Sequence, residues 1–366
     1  MTNKFVCCLF SSFTGVWEQQ QLEDLFEYER PDKYIVKTTD YSTAQLVPVL
    51  TANKGFILGY TEEKEGIHDN TPTILFDDFT CDMKYVNFKF KVKSSAMKLL
   101  YMRDRAMPLR FGYELLKHLH YQPHSHSRHW ISTMQSITTV IPSVEEQQKI
   151  ADFFCNLDGL INLHQRQTQK LKKLKQGLLQ NMFPREGESV PRLRFPGFTT
   201  TWKQQKLEDV VTVYSGRDYK GIPAGTIPVY GTGGYMLSIS QALSDKNDAI
   251  GIGRKGTIDH PFILKAPFWT VDTLFYCVPQ HDYDLDFIYS LYQKVPWKAL
   301  DESTGVPSLS KMTINHIKVL LPSLSEQKQI GSFFRQLDDC IHLHEQYTVK
   351  LTQLKKGLLQ KMFPQD

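Results

Sequence analysis

Apolar side chains recur at alternating steps of three and four residues in two long stretches of the chain. In the first, Ile150, Phe153, Leu157 and Leu160 lead past His164 to Leu171, Leu174 and Leu178, with Phe154 and Ile161 widening the stripe. In the second, Ile330, Phe333, Leu337 and Cys340 lead past His344 to Leu351, Leu354 and Leu358. This spacing keeps one face of a helix apolar over many turns and predicts a heptad seam. Each predicted helix opens after a Pro-Ser turn, Pro142-Ser143 or Pro322-Ser323, with the serine as cap. Glu146 and Glu326 stand three residues later, as in a capping box. Each helix stops at Met-Phe-Pro, because the residue before a proline is pushed out of the helical region. A helix from about residue 145 to 183 rises ~58 Å at 1.5 Å per residue. One globular domain needs far less, so both helices read as spacers.

Two such stripes in one chain are expected to bury against each other, and the repeat favours an antiparallel pair. The predicted seam sets Ile150, Leu157, His164, Leu171 and Leu178 against Ile330, Leu337, His344, Leu351 and Leu358. The two histidines fall at the helix midpoints, which meet in an antiparallel pair. They read either as a polar device that fixes register or as partly exposed residues on a helix face. Metal binding is the weaker reading, since no further ligands accompany them.

The duplication extends beyond the seam. Ile141–Pro184 and Leu321–Pro364 align without a gap at an offset of 180 and are identical at 24 of 44 positions. A fainter echo pairs TGVWEQQQLED (Thr14–Asp24) with TTWKQQKLED (Thr200–Asp209). Between these anchors, residues 25–140 and 210–320 scarcely resemble each other. Both are rich in Val, Ile, Tyr, Phe and Thr and broken by Gly, Pro, Asn and Asp, which predicts strands and turns. Short helices are expected at FGYELLKHL and DFIYSLYQKV. The expected fold is mixed α+β, with two α/β domains joined by two long helices packed as an antiparallel coiled coil in a pseudo-twofold repeat. The expected boundaries are a first domain at 1–142, a helix at 143–184, a linker at 185–198, a second domain at 199–322 and a helix at 323–366.

The chain has 366 residues, 41% hydrophobic and 22% charged, which indicates folded protein long enough for two domains. A net charge of +4 permits an anionic partner without demanding one. The six cysteines (Cys7, Cys8, Cys81, Cys155, Cys277 and Cys340) form no CxxC pair and read as reduced thiols of a cytoplasmic protein. No stretch is long and apolar enough to span a bilayer, and the apolar run in MTNKFVCCLFSS is too short for an export signal.

Several motifs invite chemistry. Gly251–Gly256 matches GxGxxG, but TIDHPFILKAPFW follows it, with two prolines and no helix to receive a pyrophosphate. A basic tight turn fits better, with Arg254 and Lys255 projecting and backbone N–H groups exposed, as does a plain solvated hairpin. His124, His126 and His129 cluster in QPHSHSRHW without a cysteine or acid to complete a metal shell. Arg128 and its histidine neighbours read better as facing DNA, or as an exposed loop. STGVPSLSK (Ser303–Lys311) is the counterpart in the second insert. Arg103, Arg105 and Arg110 form a charge run that is equally a solvated face. GxxxxGK[ST], HExxH, GxSxG and the Asn/Asp-Pro-Pro-aromatic sequence of amino-methyltransferases are all absent, so no catalysis is expected from this chain alone.

These residues carry a resemblance. The repeated P-S-x-x-E-Q-x-x-I…FF…LD…I…LH…L…LK…GLLQ-MFP block is similar to the specificity subunits of type I DNA restriction–modification systems. RFPGF (Arg194–Phe198), IPVYGTGG (Ile227–Gly234) and GVPSL (Gly305–Leu309) match as well. FDDFT (Phe76–Thr80) and FKVKSSAMK (Phe90–Lys98) resemble one type of first recognition domain. The match departs at the first repeat, where FSSF (Phe10–Phe13) stands in place of an RFPGF-like segment.

The resemblance implies two target-recognition domains, each reading half of a bipartite site in double-stranded DNA. It also implies helices that set the spacer and dock two methyltransferase subunits, with restriction subunits completing the complex. S-adenosylmethionine, ATP and Mg2+ would sit on those partners, with no cofactor on this chain and no membrane association. The expected contacts are Asn53, Lys54, Lys84, Lys93, Arg128 and His129 in the first insert. In the second they are Arg217, Lys220, Thr232, Arg254, Lys255 and Lys311. The rival readings are an assembly scaffold without direct readout and an unrecognised DNA methyltransferase or nuclease.

Overall fold

The computed structural model describes residues 15–38, 41–42, 46–53, 55–124 and 127–364. The divergent opening around FSSF, together with Lys54 and His126, lies outside the described residues. The chain forms two units, one made of Met1–Leu163 with Tyr347–Asp366 and the other of His164–Gln346.

In the first unit, β1 (Glu18–Gln21) pairs antiparallel with β9 (Thr138–Ile141), clasping the two ends of the insert. Within it lie β2 (Phe26–Glu29), β3 (Val47–Leu50), β4 (Ile57–Thr61), β5 (Thr73–Asp77), β6 (Met83–Val86), β7 (Lys91–Val92) and β8 (Met97–Met102). They form a four-stranded sheet in the order β2-β8-β5-β6 and a three-stranded sheet in the order β4-β3-β7. The central strands β5 and β8 are buried throughout because both faces of their sheet are covered. Helix α1 (Leu109–His118) supplies Phe111, Leu115 and Leu116 to one face, against Phe26, Ile74, Phe76 and Leu100. On the other face Leu75, Leu99 and Tyr101 meet Leu50, Phe90 and Val92.

The FDDFT and FKVKSSAMK segments serve this frame. Asp77 accepts the amide N–H groups of Phe79 and Thr80 at 2.9 and 3.1 Å and so builds the turn after β5. Asp78 is fully buried, 3.4 Å from the Lys98 ammonium, and accepts the Trp130 amide at 2.8 Å.

The second unit repeats this topology with unrelated residues. Strand β10 (Lys203–Lys206) pairs with β18 (Lys318–Leu321). The four-stranded sheet comprises β11 (Val211–Ser215), β14 (Ala249–Gly253), β15 (Phe262–Leu264) and β17 (Leu274–Pro279), ordered β11-β17-β14-β15. The three-stranded sheet comprises β12 (Ala224–Gly231), β13 (Gly234–Ile239) and β16 (Trp269–Thr270), ordered β13-β12-β16. Strand sense is preserved too. β3 pairs parallel with β7 and antiparallel with β4, as β12 does with β16 and β13. Helix α3 (Leu285–Tyr292) stands where α1 stood and buries Phe287, Ile288 and Leu291.

The long helices are α2 (Val144–Asn181) and α4 (Leu324–Met362). In the first unit the start of α2 packs on the end of α4. Ile150, Phe154 and Leu157 share a core with Leu358, Leu359 and Phe363, and the Lys355 ammonium lies 2.8 Å from both Asp158 oxygens. In the second unit the end of α2 meets the start of α4 through Lys175–Asp338 at 2.5 Å and Lys172–Glu345 at 2.7 Å. Rising numbers on one helix face falling numbers on the other, so the pairing is antiparallel. Lys355–Asp158 and Lys175–Asp338 are the same pair at an offset of 180.

Two expectations need correction. Leu160 and Leu174 are exposed, and in the first unit the buried line runs through Phe154 and Ile161 instead. The helix must face its insert as well as its partner, and at 3.6 residues per turn a 3.5-residue pattern drifts around the helix. The second correction concerns the capping boxes. Ser143 and Ser323 do accept the Glu146 and Glu326 amides, each at 3.4 Å. The buried Glu326 carboxylate, however, turns to Arg194 of RFPGF, which grips it through Nε at 2.6 Å and Nη2 at 2.7 Å. Arg194 also donates to the Thr200 carbonyl at 2.7 Å, tying residues 194–200 to the start of α4.

Candidate nucleic-acid interface

Three loops in the second unit converge. Strand β14 ends at Gly253, where a Cβ would lie 2.0 Å from the Thr257 carbonyl oxygen, so only glycine fits the reversal. Gly256 completes the turn at φ +88°, in the left-handed region that glycine adopts without strain. The GxGxxG match is therefore a strand ending in a tight turn. Its backbone N–H groups are not exposed as expected. Arg254 and Lys255 donate to Thr273 O at 2.8 and 3.2 Å, and Gly256 donates to Pro307 O at 2.8 Å. What the turn offers outward is the pair of cationic side chains, both exposed.

The second loop is the β12–β13 hairpin. Thr232 Oγ1 lies 3.7 Å from where a Gly256 Cβ would stand, which puts the hairpin tip beside the basic turn. Just past the tip, Tyr235 and Met236 are 62% and 49% exposed, large side chains that the hairpin presents to solvent. The third loop, Ser303–Lys311, is held against the turn by a Lys255–Ser308 bridge and by the Leu309 N–H donating to Arg254 O at 2.9 Å. Turn and loop enclose a groove of about 360 Å3 lined by Ser215, Arg254, Lys255, Glu302, Ser308 and Lys311, among others. The Arg254 guanidinium sits 5.9 Å over the Phe275 ring on its floor. Sequence reasoning thus reached Thr232, Arg254, Lys255 and Lys311, which the fold brings together. Arg217 and Lys220 are exposed on the β11–β12 connection and do not line the groove.

The first unit carries the same three loops. The turn after β5 occupies the place of the basic turn, and the His129 N–H donates to Asp78 O at 2.8 Å as Leu309 does to Arg254. Arg128–Trp130 is therefore the structural counterpart of Ser308–Ser310. Arg128 is exposed, with its guanidinium 6.0 Å over Phe79 of that turn. Asn53 is exposed in the β3–β4 hairpin. Lys93 is exposed just past β7, 5.4 Å over Tyr41. Lys84 is half-buried, its ammonium 5.9 Å from the Phe56 ring at the base of the hairpin.

His129 is a correction. Its side chain is only 2% exposed, and its Nδ1 lies 3.0 Å from the Tyr121 hydroxyl, so it is part of the interior and presents nothing to a partner. The three arginines of the charge run also have internal partners. Arg103 donates to Glu23 O at 2.7 Å, Arg105 pairs with Glu27, and Arg110 pairs with Glu114 and Asp158. Residues that sequence reasoning missed are Tyr235, Met236 and Glu302. A GTGG turn followed by Tyr-Met was the available signal for the first two.

Comparison with known proteins fits this geometry. A family model described as the type I restriction modification DNA specificity domain matches twice, over residues 15–173 and 199–353. The chain belongs to that family. The two matches correspond to the two repeats. An Escherichia coli relative, the type I restriction enzyme EcoR124I/EcoR124II specificity subunit, is 42% identical over 133 residues, 35% of this chain and 33% of its own length. The MjaVIII specificity subunit of Methanocaldococcus jannaschii is 24% identical over 261 residues, 62% of this chain and 61% of the relative. The chain thus spans less than two thirds of either. Among solved structures, the S subunit of a type I restriction–modification system from M. genitalium matches with a TM-score of 0.78 at 17% identity. That match covers 96% of this chain and 97% of the other, and it shows the specificity-subunit fold. No helix among the described residues is long and apolar enough to cross a membrane.

Proposed function

We propose that this chain is the DNA-reading subunit of a type I restriction–modification complex and catalyses nothing by itself. Each unit presents its three loops to one half of a bipartite duplex target, and the paired helices set the unread interval. Methyltransferase subunits dock on the helices, and restriction subunits join them. S-adenosylmethionine, ATP and Mg2+ are handled by those partners. The observation that carries the reading is the groove of the second unit, where three cations from two loops lie together and the hairpin tip at Thr232 stands beside their turn. Cations position a protein on phosphates, while polar and apolar side chains between them read base edges. Within this reading Asn53, Lys93 and Arg128 serve the first half-site, and Thr232, Arg254, Lys255 and Lys311 the second.

The test is to reconstitute the chain with its methyltransferase partner, modify genomic DNA and map the methylated adenines. A two-part motif with a constant gap is the expected result. Methylation scattered without a motif would reduce the chain to a scaffold. Turnover of S-adenosylmethionine by the chain alone would make it an enzyme instead.

A further inference from the structure

The groove of the second unit contains a carboxylate that phosphate binding does not explain. Glu302 lines it among Arg254, Lys255 and Lys311. A surface meant only for the DNA backbone gains nothing from an anion, which repels phosphate at short range. The side chain is nevertheless held in place. Asp301 Oδ1 accepts the N–H groups of Ser303 and Ser308 at 3.0 and 2.9 Å and so closes the loop. The Glu302 N–H donates to Ser308 O at 3.1 Å. Its Oε1 accepts the Ser310 hydroxyl at 3.0 Å, and Ser310 Oγ in turn accepts the Thr313 N–H at 3.0 Å at the start of the Lys311–His316 helical segment. The carboxylate is exposed, and no lysine or arginine among the described residues forms an ion pair with it.

We infer that Glu302 is a base-reading residue, accepting a hydrogen bond from the exocyclic amino group of a base in the second half-site. The inference rests on the DNA-reading function proposed above. An ionised carboxylate can only accept, and the amino groups a base pair presents in the major groove are N4 of cytosine and N6 of adenine. Carboxylates pair with the cytosine amine, which makes cytosine the expected base and adenine the alternative. Arg254 and Lys255 hold the backbone close enough for the contact, and the Ser310 bond leaves Oε2 to make it.

The experiment selects duplexes from a randomised pool with the methyltransferase-bound complex of wild type, Glu302→Ala and Glu302→Gln. Wild type is expected to enrich a bipartite motif with a cytosine-bearing pair at one position of one half. Glu302→Ala is expected to lose discrimination there by roughly 10- to 100-fold while keeping every other position. Its affinity for duplexes without the motif should rise, by up to about threefold, because a repulsive charge has gone. Glu302→Gln, which can donate as well as accept, should move the preference at that position towards adenine. Selection of adenine by wild type would keep the role and change the base. An unchanged motif in both variants would overturn the inference and leave the DNA-reading function standing. Loss of the whole half-site in both would assign Glu302 to holding the loop and overturn it as well. Absence of any motif in wild type would remove the function and the inference together.

Discussion

His164 and His344 face each other across the paired helices with their Nδ1 atoms 2.8 Å apart, and they occupy the same position in the two repeats. One Nδ1–H donates to the lone pair of the other, so at least one ring must be neutral for the bond to exist. A polar pair at a single seam position costs stability relative to leucine but disfavours shifted registers, in which each histidine would meet an apolar residue. A double-mutant cycle with His164→Ala and His344→Ala should therefore show coupling of about 0.5–1.5 kcal/mol in denaturant unfolding of the second unit. Additive effects of the two substitutions would place both rings in water.

Arg254 and Lys255 form a cationic turn held chiefly by their backbone N–H groups on Thr273 O, with one long Arg254 Nη1 bond to Asp272 O at 3.4 Å as the side-chain contribution. Arg254→Ala is expected to weaken binding to all duplexes alike. It should lower the slope of log affinity against log salt by about one. Affinity and slope both matching wild type would show that the turn does not touch phosphate.

Acid should loosen the first unit through Asp158. Burial raises the pKa of this carboxylate, but Lys355 and Arg110 outweigh burial and hold it below its ordinary value. A depressed pKa adds stability that is fully present above the unfolded value of about 3.9 and is lost as pH falls through the folded one. The difference between wild type and Asp158→Asn should be constant from neutral pH to about pH 5 and close below about pH 4. At neutral pH it should amount to roughly 1–3 kcal/mol, since the group is partly solvated. A gap that widened on acidification would contradict this sign.

Leu163 and Leu343 are equivalent in the two repeats, and each is 50% exposed on its helix. Exposed leucines at matching positions suit the docking of two copies of one partner. Under the proposed function, with one methyltransferase subunit on each repeat, Leu163→Glu and Leu343→Glu should each remove one such subunit, which mass measurement of the reconstituted complex would detect. The double variant should bind none. Full assembly of the double variant would move the docking surface elsewhere.

The long helices were legible in the sequence because a heptad pattern and a gapless repeat depend on spacing alone. Even there, the exposure of Leu160 and Leu174 required knowing what each helix packs against. The common topology of the inserts was illegible. A strand needs only suitable residues at each face, and β5 (TILFD) and β14 (AIGIG) meet that need with different side chains. Arg254, Lys255 and Lys311 were legible as cations near turns. His129 was misread because its polar neighbours suggested a surface loop, whereas the hydrogen bond to Asp78 draws it inward. Glu302 gave no local sign, since its meaning comes from cations supplied by another loop.

The two units differ in when they can exist during synthesis. The second is one continuous stretch, His164–Gln346, and its main core draws on residues of that stretch alone. The first contains Leu358, Leu359 and Phe363 in its core, so its opening strands lack those partners until Phe363 has been made. At elongation rates of ~5–20 residues per second, the roughly 200 residues from Leu163 to Phe363 take about 10–40 s, with apolar strands already translated. The core of the second unit can therefore close before that of the first is complete, although the strands of the first are translated earlier.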